Sequence, residues 1–229
     1  MKKNFEQEKE LAAKEAVKFV SNNMVVGLGT GSTARYAIEE IGKMVKAGLS
    51  IRAIATSNTT KKMAETLGIT IIDINSIDTI DITIDGADEF TEDLVLIKGG
   101  GGALLKEKIV ASLTKKEIII TDSSKKVTVL GKFKLPIEVI PFASNYVLNH
   151  LKILNGSGKI RTITNKYFIT DEGNYIIDAD FGRIKNPSDL SSKLNEIEGL
   201  VAHGLFINLA SKIIMGSKDT TITFAAPEK

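Results

Sequence analysis

Met24-Val25-Val26-Gly27-Leu28-Gly29-Thr30-Gly31-Ser32-Thr33 is the stretch on which the fold turns. Met24 to Gly29 reads as a short buried strand and Thr30 to Thr33 as a tight polar turn. Ala34, Ala37, Ile38, Ile41, Met44 and Val45 then recur at helical spacing until Gly48 supplies a stop. A strand passing through a glycine turn into an amphipathic helix is half of a βαβ unit, and the pattern repeats. Upstream, Ala13, Ala16, Val17 and Val20 mark one helix face. Downstream, Ile51–Ala55 reads as a strand, a helix carries Met63, Ala64 and Leu67 up to Gly68, and Ile69–Ile72 is a third apolar run. Ile80, Ile82 and Ile84 alternate with Asp81, Thr83 and Asp85, the period of a strand. Leu94–Ile97 reads as a further strand, followed by glycines and a helix bearing Leu105, Ile109 and Leu113, and Glu117–Thr121 closes the series. This alternation predicts a mostly parallel sheet covered on both faces.

The grammar changes at about Gly131. Ile137–Ile140 reads as a strand and Pro141 opens a helix through Tyr146, Val147 and Leu151. Ile160–Thr164 and Tyr167–Thr170 read as strands with a short break between them. Asp171-Glu172-Gly173-Asn174 is a hairpin turn into Tyr175–Asp178. Asn186-Pro187-Ser188 starts a helix with Leu190, Leu194 and Ile197, and Leu200–Phe206 is the returning strand. The order β-α-β-β-α-β is that of the ferredoxin-like split unit. Ile213–Met215 and Thr221–Phe224 carry no helix signal and are expected to add strands to the first domain. The expected organisation is α/β: a Rossmann-like, mostly parallel sheet domain at 1–130 plus 206–229, interrupted by a smaller ferredoxin-like α+β domain at 131–205.

Composition narrows the chemistry. In 229 residues, 43% hydrophobic and 25% charged suit a globular core rather than disorder. Thirty Lys+Arg against 28 Asp+Glu leave +2, which excludes a polyanion binder working by bulk charge; 6% aromatics without Trp leave little for base stacking. No nucleic-acid partner is expected. With no Cys there is no disulfide, thiolate or zinc–sulfur chemistry, and the two histidines, His150 and His203, lack metal-ligand spacing. No apolar run approaches a membrane span, and Met1-Lys2-Lys3 leads into Asn4-Phe5-Glu6-Gln7 rather than a signal segment. A cytoplasmic protein with no membrane partner is expected.

Ligands of an open parallel sheet bind beyond the carboxyl ends of its strands. The residues expected there are Gly29–Thr33, Thr56–Thr60, Asp85–Glu89, Lys98–Gly102 and Thr121–Lys125, all small, polar and rich in donors. Glycine turns with hydroxyls at helix starts suit an anion, because the first helical N–H groups lack internal partners. The G-x-x-x-x-G-K-[ST] lysine of a nucleotide loop is missing. So is the third glycine of G-x-G-x-x-G, where Ser32 stands, and Ser50-Ile51-Arg52 offers no ribose-binding acid. A phosphate monoester held by Gly31, Ser32 and Thr33 fits better than a dinucleotide, against a bland alternative in which these residues merely start a helix.

Asp85-Gly86-Ala87-Asp88-Glu89 turns sharply at a strand end, so that Asp85 and Asp88 can face one cavity; a solvated turn with a capping Asp is the competing reading, and a magnesium site a weaker one. Four consecutive glycines after Lys98 imply close backbone approach, and the Lys98 ammonium can meet a developing oxyanion. Glu107 is placed two turns into the following helix, where a solvent-facing acid between Lys106 and Lys108 is the ordinary fate. Lys125 is either a phosphate counter-charge or a surface lysine beside Lys126.

Together, Gly-Leu-Gly-Thr-Gly-Ser-Thr at 27–33, Asp-Gly-Ala-Asp-Glu at 85–89 and Lys-Gly-Gly-Gly-Gly-Ala-Leu with Lys-Glu-Lys at 98–108 closely resemble the ribose-5-phosphate isomerase A family. Gly131-Lys132-Phe133, Leu135–Pro141 and Gly204-Leu205-Phe206 resemble that family's crossings into and out of its second domain. Gly102 stands where many relatives carry Ala, Leu105 where Thr is common and Lys106 where Arg is common. The resemblance implies a cofactor-free aldose–ketose isomerase of the non-oxidative pentose phosphate pathway, acting on a small sugar phosphate without a metal, and a family habit of homodimers or homotetramers. It makes Glu107 the base that moves a proton between C2 and C1. Thr30, Gly31, Ser32 and Thr33 would hold the phosphate end; Asp85, Gly86, Ala87, Asp88, Lys98, Gly99, Gly100 and Gly101 would line the sugar; Lys125, and more loosely Lys9, would also serve. The accompanying hypothesis gives hydroxyl protons and ring opening to Asp85 and Asp88 and the oxyanion to Lys98.

Two other classes fit the residues less well. A sugar-phosphate sensor needs a DNA-binding domain, and about 24 residues before the first strand are too few. An aminosugar-phosphate deaminase needs a histidine near the site, and neither His150 nor His203 follows a strand of the first domain.

Overall fold

The structure, a computed structural model, describes residues 4–225; Met1–Lys3 of the N-terminal reading lie outside the described residues. In chain order the elements are α1 (Phe5–Ala16), β1 (Val25–Leu28), α2 (Ser32–Lys46), β2 (Arg52–Ala55), α3 (Asn58–Thr66), β3 (Thr70–Ile71), β4 (Ile82–Gly86), β5 (Glu89–Phe90), β6 (Leu96–Ile97), α4 (Leu104–Leu113) and β7 (Glu117–Thr121). There follow β8 (Leu135–Val139), α5 (Ser144–Ile153), β9 (Ser157–Ile160), β10 (Thr162–Ile163), β11 (Lys166–Tyr167), β12 (Tyr175–Asp180), α6 (Pro187–Asn195), β13 (Leu200–His203), β14 (Leu205–Phe206), β15 (Lys212–Ser217) and β16 (Thr220–Ala225). The chain divides into two units, one of residues 1–87, 106–126 and 208–229 and one of residues 88–105 and 127–207.

The first unit is built on a seven-stranded sheet of order β16-β15-β7-β4-β1-β2-β3. Every pairing is parallel except that of β16 with β15. The chain therefore runs outward one way through β1, β2 and β3 and the other way through β4, β7 and β15, which puts the topological switch point between β1 and β4. Val26 and Leu28 pack with Ala13 and Ala16 of α1 and Ala37, Ile38 and Ile41 of α2. Val25 faces the other way and packs with Ile54, Ile80 and Val110 of α4. Helix starts follow capping rules: Asn4 accepts from the Gln7 N–H at 3.3 Å and Ser57 from the Thr60 N–H at 3.0 Å. The two C-terminal strands join this sheet, as their lack of helix signal implied.

The second unit carries a four-stranded antiparallel sheet of order β13-β8-β12-β9. Numbering β8, β9, β12 and β13 as one to four, the spatial order is 4-1-3-2 with α5 and α6 as crossovers, the ferredoxin-like arrangement. Leu135, Ile137 and Val139 bury with Val147, Leu151, Ile177 and Leu194 as its core. The second strand of that unit is β9, at the edge of the sheet and paired with β12, and not Ile160–Thr164. The segment from 162 to 167 is a separate two-stranded hairpin, β10–β11.

A second departure concerns Leu94–Ile97. Only Leu96–Ile97 is a strand, and it lies in a three-stranded antiparallel sheet of order β14-β6-β5 rather than in the parallel sheet. Residues 88–105, which the sequence reading places with the parallel sheet, group with the second unit. Leu205–Phe206 returns to pair with β6 instead of extending β13. An apolar run of two to four residues fits either kind of sheet, so periodicity alone does not choose.

Candidate active site

In the first unit the loops after β7, β4, β1 and β2 leave the carboxyl ends of four neighbouring parallel strands. Gly29 passes so close to β4 that a Cβ there would lie 2.0 Å from Asp85 Oδ1 and 2.6 Å from Asp85 Cα. That closeness lets the buried Asp85 carboxylate accept from the N–H groups of Thr30 (3.1 Å) and Gly86 (2.7 Å). Thr30 Oγ1 lies 2.7 Å from Thr56 Oγ1, 2.9 Å from Ser57 Oγ and 3.2 Å from Thr60 Oγ1, while Thr60 Oγ1 donates to the Gly29 carbonyl at 2.9 Å. Four hydroxyls thus hold the shape of a three-residue turn. Gly31, at φ +115°, starts α2 without a capping side chain. The first N–H groups of α2 carry the partial positive charge of an open helix start. Lys9 Nζ donates to Ser32 Oγ at 3.2 Å and to Glu6 at 2.6 Å.

The loop after β7 is pinned in the same unit. Asp122 Oδ1 accepts from the Ser124 N–H at 2.9 Å and from the Ser124 hydroxyl. Glu8, 2% exposed on α1, accepts from the Ser123 N–H at 2.8 Å and the Lys218 N–H at 2.9 Å. Lys125 follows on this loop, half-buried. Glu107 lies in the first turn of α4, not two turns in, and is 6% exposed. The majority fate of a helical acid between two lysines is not its fate here. Beside it in sequence, desolvation lowers the Lys108 ammonium to about 8.

In the second unit, Asp88 and the glycine loop form one network. The Asp88 N–H donates to the Ile97 carbonyl at 2.8 Å, and Asp88 Oδ2 accepts from the Gly100 N–H at 2.7 Å. Lys98 is 2% exposed, its N–H bonded to the Gly204 carbonyl at 2.9 Å and its ammonium 5.4 Å from the centre of the Phe206 ring. Gly102, at φ +79°, closes the turn by donating to the Gly99 carbonyl at 2.9 Å. A Cβ on Gly102 would stand 2.4 Å from the Phe168 ring. Among the described residues no group of three or more His, Asp or Glu is arranged to hold a metal ion.

The sequence-named residues thus fall into two sets. Thr30–Thr33, Asp85–Ala87, Glu107 and Lys125 belong to the first unit, and Asp88 with Lys98–Gly101 to the second. Arg161 and Asp178 escaped sequence reading. Arg161 binds the Gly99 and Gly100 carbonyls from 62 and 61 residues away, which no local motif reports. His203 is buried in β13, bonded to Ser191 and the Leu205 N–H, and His150 bonds the Tyr146 carbonyl on α5. Both histidines are engaged within the second unit.

The model of the family ribose 5-phosphate isomerase A (phosphoriboisomerase A) matches residues 52–220. The chain belongs to the ribose 5-phosphate isomerase A family. Ribose-5-phosphate isomerase A of Bacillus mycoides (strain KBAB4) is 49% identical over 212 residues, covering 92% of this chain and 96% of that protein. Among solved structures, a D-ribose-5-phosphate isomerase in complex with phospho-erythronic acid superposes with a TM-score of 0.94 at 40% identity, covering 98% of this chain and all of that one. Ribose 5-phosphate isomerase from Plasmodium falciparum gives a TM-score of 0.93 at 38% identity, covering 97% of this chain and 100% of that one. The likeness to ribose 5-phosphate isomerase A proteins therefore runs through both units and is not confined to the glycine motifs.

Proposed function

We propose that this chain interconverts D-ribose 5-phosphate and D-ribulose 5-phosphate through an enediol(ate), without a cofactor. The observation that carries the reading is the burial of Glu107 in the first turn of α4. A carboxylate withdrawn from water is a stronger base towards a carbon acid than one left in solvent. The phosphate goes to Thr30–Thr33, where an uncapped helix start, Ser32 and Lys9 supply donors and positive charge. Support for a phosphorylated sugar comes from the solved relative, which binds phospho-erythronic acid.

In the proposed reaction Glu107 takes the C2 proton of the open-chain aldose, and the electron pair moves through C1 to the carbonyl oxygen. Lys98 and the N–H groups of Gly99 and Gly101 meet the negative charge developing there, the Gly100 N–H being held by Asp88, and Glu107 returns the proton to C1. Asp85 and Asp88 relay hydroxyl protons and open the sugar ring, with Gly86, Ala87 and Lys125 completing the contacts. A positioned base is worth about 10²–10⁴-fold. The same reading places the enzyme in the cytoplasm as a homodimer or homotetramer, the latter choice open to sedimentation of the purified chain.

The test is ketose formation from ribose 5-phosphate in the presence of excess chelator. Turnover is expected to persist, and Glu107→Gln is expected to keep phosphate-ligand binding while losing at least about 100-fold in kcat. Near-normal turnover by Glu107→Gln ends its assignment as the base, and absent wild-type turnover ends the isomerase reading.

A further inference from the structure

Four consecutive glycines, Gly99 to Gly102, have no Cβ to restrict their backbone, yet the proposed chemistry needs their peptides in one orientation. A trans peptide points its C=O and N–H in opposite directions. Turning one peptide over would present a carbonyl oxygen, instead of an N–H, to an oxygen gaining negative charge. Something has to hold the carbonyls.

Arg161 does so within the second unit. Its backbone is fixed first: its N–H donates to the Ile176 carbonyl at 2.7 Å and its carbonyl accepts from the Phe168 N–H at 2.9 Å. Its side chain is 14% exposed. Nε and Nη2 grip the two carboxylate oxygens of Asp178 at 3.0 and 2.5 Å, a side-on fork. That fork aims Nη1 at the loop, where it donates to the Gly99 carbonyl at 3.2 Å and the Gly100 carbonyl at 3.0 Å. The Phe168 ring lies 5.7 Å from the guanidinium carbon, and the same ring abuts Gly102. On the opposite side of the peptide joining Gly99 and Gly100, the N–H meets Asp88. The next peptide, whose carbonyl is also held, turns the Gly101 N–H away from the guanidinium.

Resting on the isomerase reading above, we propose that Arg161, oriented by Asp178, is a positioning residue that holds the Gly99 and Gly100 carbonyls and so keeps the loop's N–H groups directed to Asp88 and to the reacting sugar. Lysine is only a partial substitute. A single ammonium cannot occupy the fork on Asp178 and both carbonyls in the same geometry.

The experiment compares wild type, Arg161→Ala, Arg161→Lys and Asp178→Asn in steady-state isomerisation of ribose 5-phosphate, with thermal melts to confirm folding. Arg161→Ala is expected to lose about 10- to 100-fold in kcat with KM changed less than about threefold, because the phosphate end is held elsewhere. Arg161→Lys and Asp178→Asn should fall in between. Ethylguanidinium should restore Arg161→Ala saturably and leave Glu107→Gln unimproved. A kcat within threefold of wild type, or a loss restored neither by Lys nor by ethylguanidinium, overturns the proposal. Should Arg161→Ala fail to fold, an Arg161→Lys enzyme with unchanged kcat overturns it as well. Failure of wild-type turnover would instead sink the isomerase reading. The clamp is then judged by Gly100 amide exchange, expected to accelerate in Arg161→Lys, and unchanged exchange rejects it.

Discussion

The turn at Gly29–Gly31 and the loop at Gly99–Gly102 look alike in sequence, and the structure holds them by opposite means. The first follows a central parallel strand and needs glycine because another strand's backbone is 2.6 Å from where a Cβ would sit. Its shape is set by a dense local cluster of hydroxyls on the next loop along the sheet. The second follows a two-residue strand in a small antiparallel sheet, with positive φ at Gly99 and Gly102. Its carbonyls are held by an arginine from another part of its unit. Glycine density therefore reports two demands, close packing in one case and backbone orientation in the other, and composition cannot separate them.

The sharpest way to break that contrast is Gly29→Ala. The new methyl meets Asp85 atoms that include its backbone, so β1 and β4 must part. Overpacking of this kind costs about 3 kcal/mol, and urea denaturation should show the loss together with strongly reduced turnover. A variant of native stability would mean that the switch point is more yielding than its geometry. Gly102→Ala should cost less, about 1–2 kcal/mol for the left-handed backbone plus a contact with the Phe168 ring. The ring is the end of a side chain, so Phe168→Ala should relieve the contact, and a double-mutant cycle in denaturant should show coupling of at least about 0.5 kcal/mol. Additive effects would show that only the backbone angle matters at Gly102. Thr60→Val removes one hydroxyl from the first turn and is expected to cost about 1 kcal/mol. It should raise KM more than it lowers kcat, since the turn belongs to the proposed phosphate end.

The first turn and the parallel sheet were legible because their determinants are local in sequence: a short buried apolar strand, a glycine turn and a helical stripe fall within about 25 residues of each other. The ferredoxin-like order was legible for the same reason, its helices being marked by Pro141 and Asn186-Pro187. What escaped was non-local. Leu96–Ile97 is assigned to its sheet by Leu205–Phe206, more than a hundred residues on, and β9 is Ser157-Gly158-Lys159-Ile160, with no apolar alternation strong enough to outbid its neighbours. Arg161 reads as one more polar residue at the start of a hairpin until β12 brings Asp178 beside it. Glu107 was named through family likeness, but its depth and its place in the first helical turn follow from where α4 begins, which glycines obscure in sequence.

The smallest expected effect carries the contrast to buried acids. Asp85 in the first unit accepts from two backbone N–H groups. Glu138, fully buried on β8 of the second, accepts from the Thr170 hydroxyl at 2.9 Å and the Asn174 amide at 3.0 Å. Burial raises its pKa, only partly offset by the Asn174 and Thr170 bonds, and Glu172 adds to the rise. Below about pH 4 the carboxyl is protonated in folded and unfolded chains alike. As pH climbs, the unfolded chain releases the proton first, so the folded state loses stability until pH passes the raised value and then loses no more. Glu138→Gln does not ionise and avoids that loss. It should melt about 2–4 °C above wild type at pH 8, with the gap closing towards pH 4. A gap independent of pH would show that the hydrogen bonds, and not the charge, decide the stability of this position.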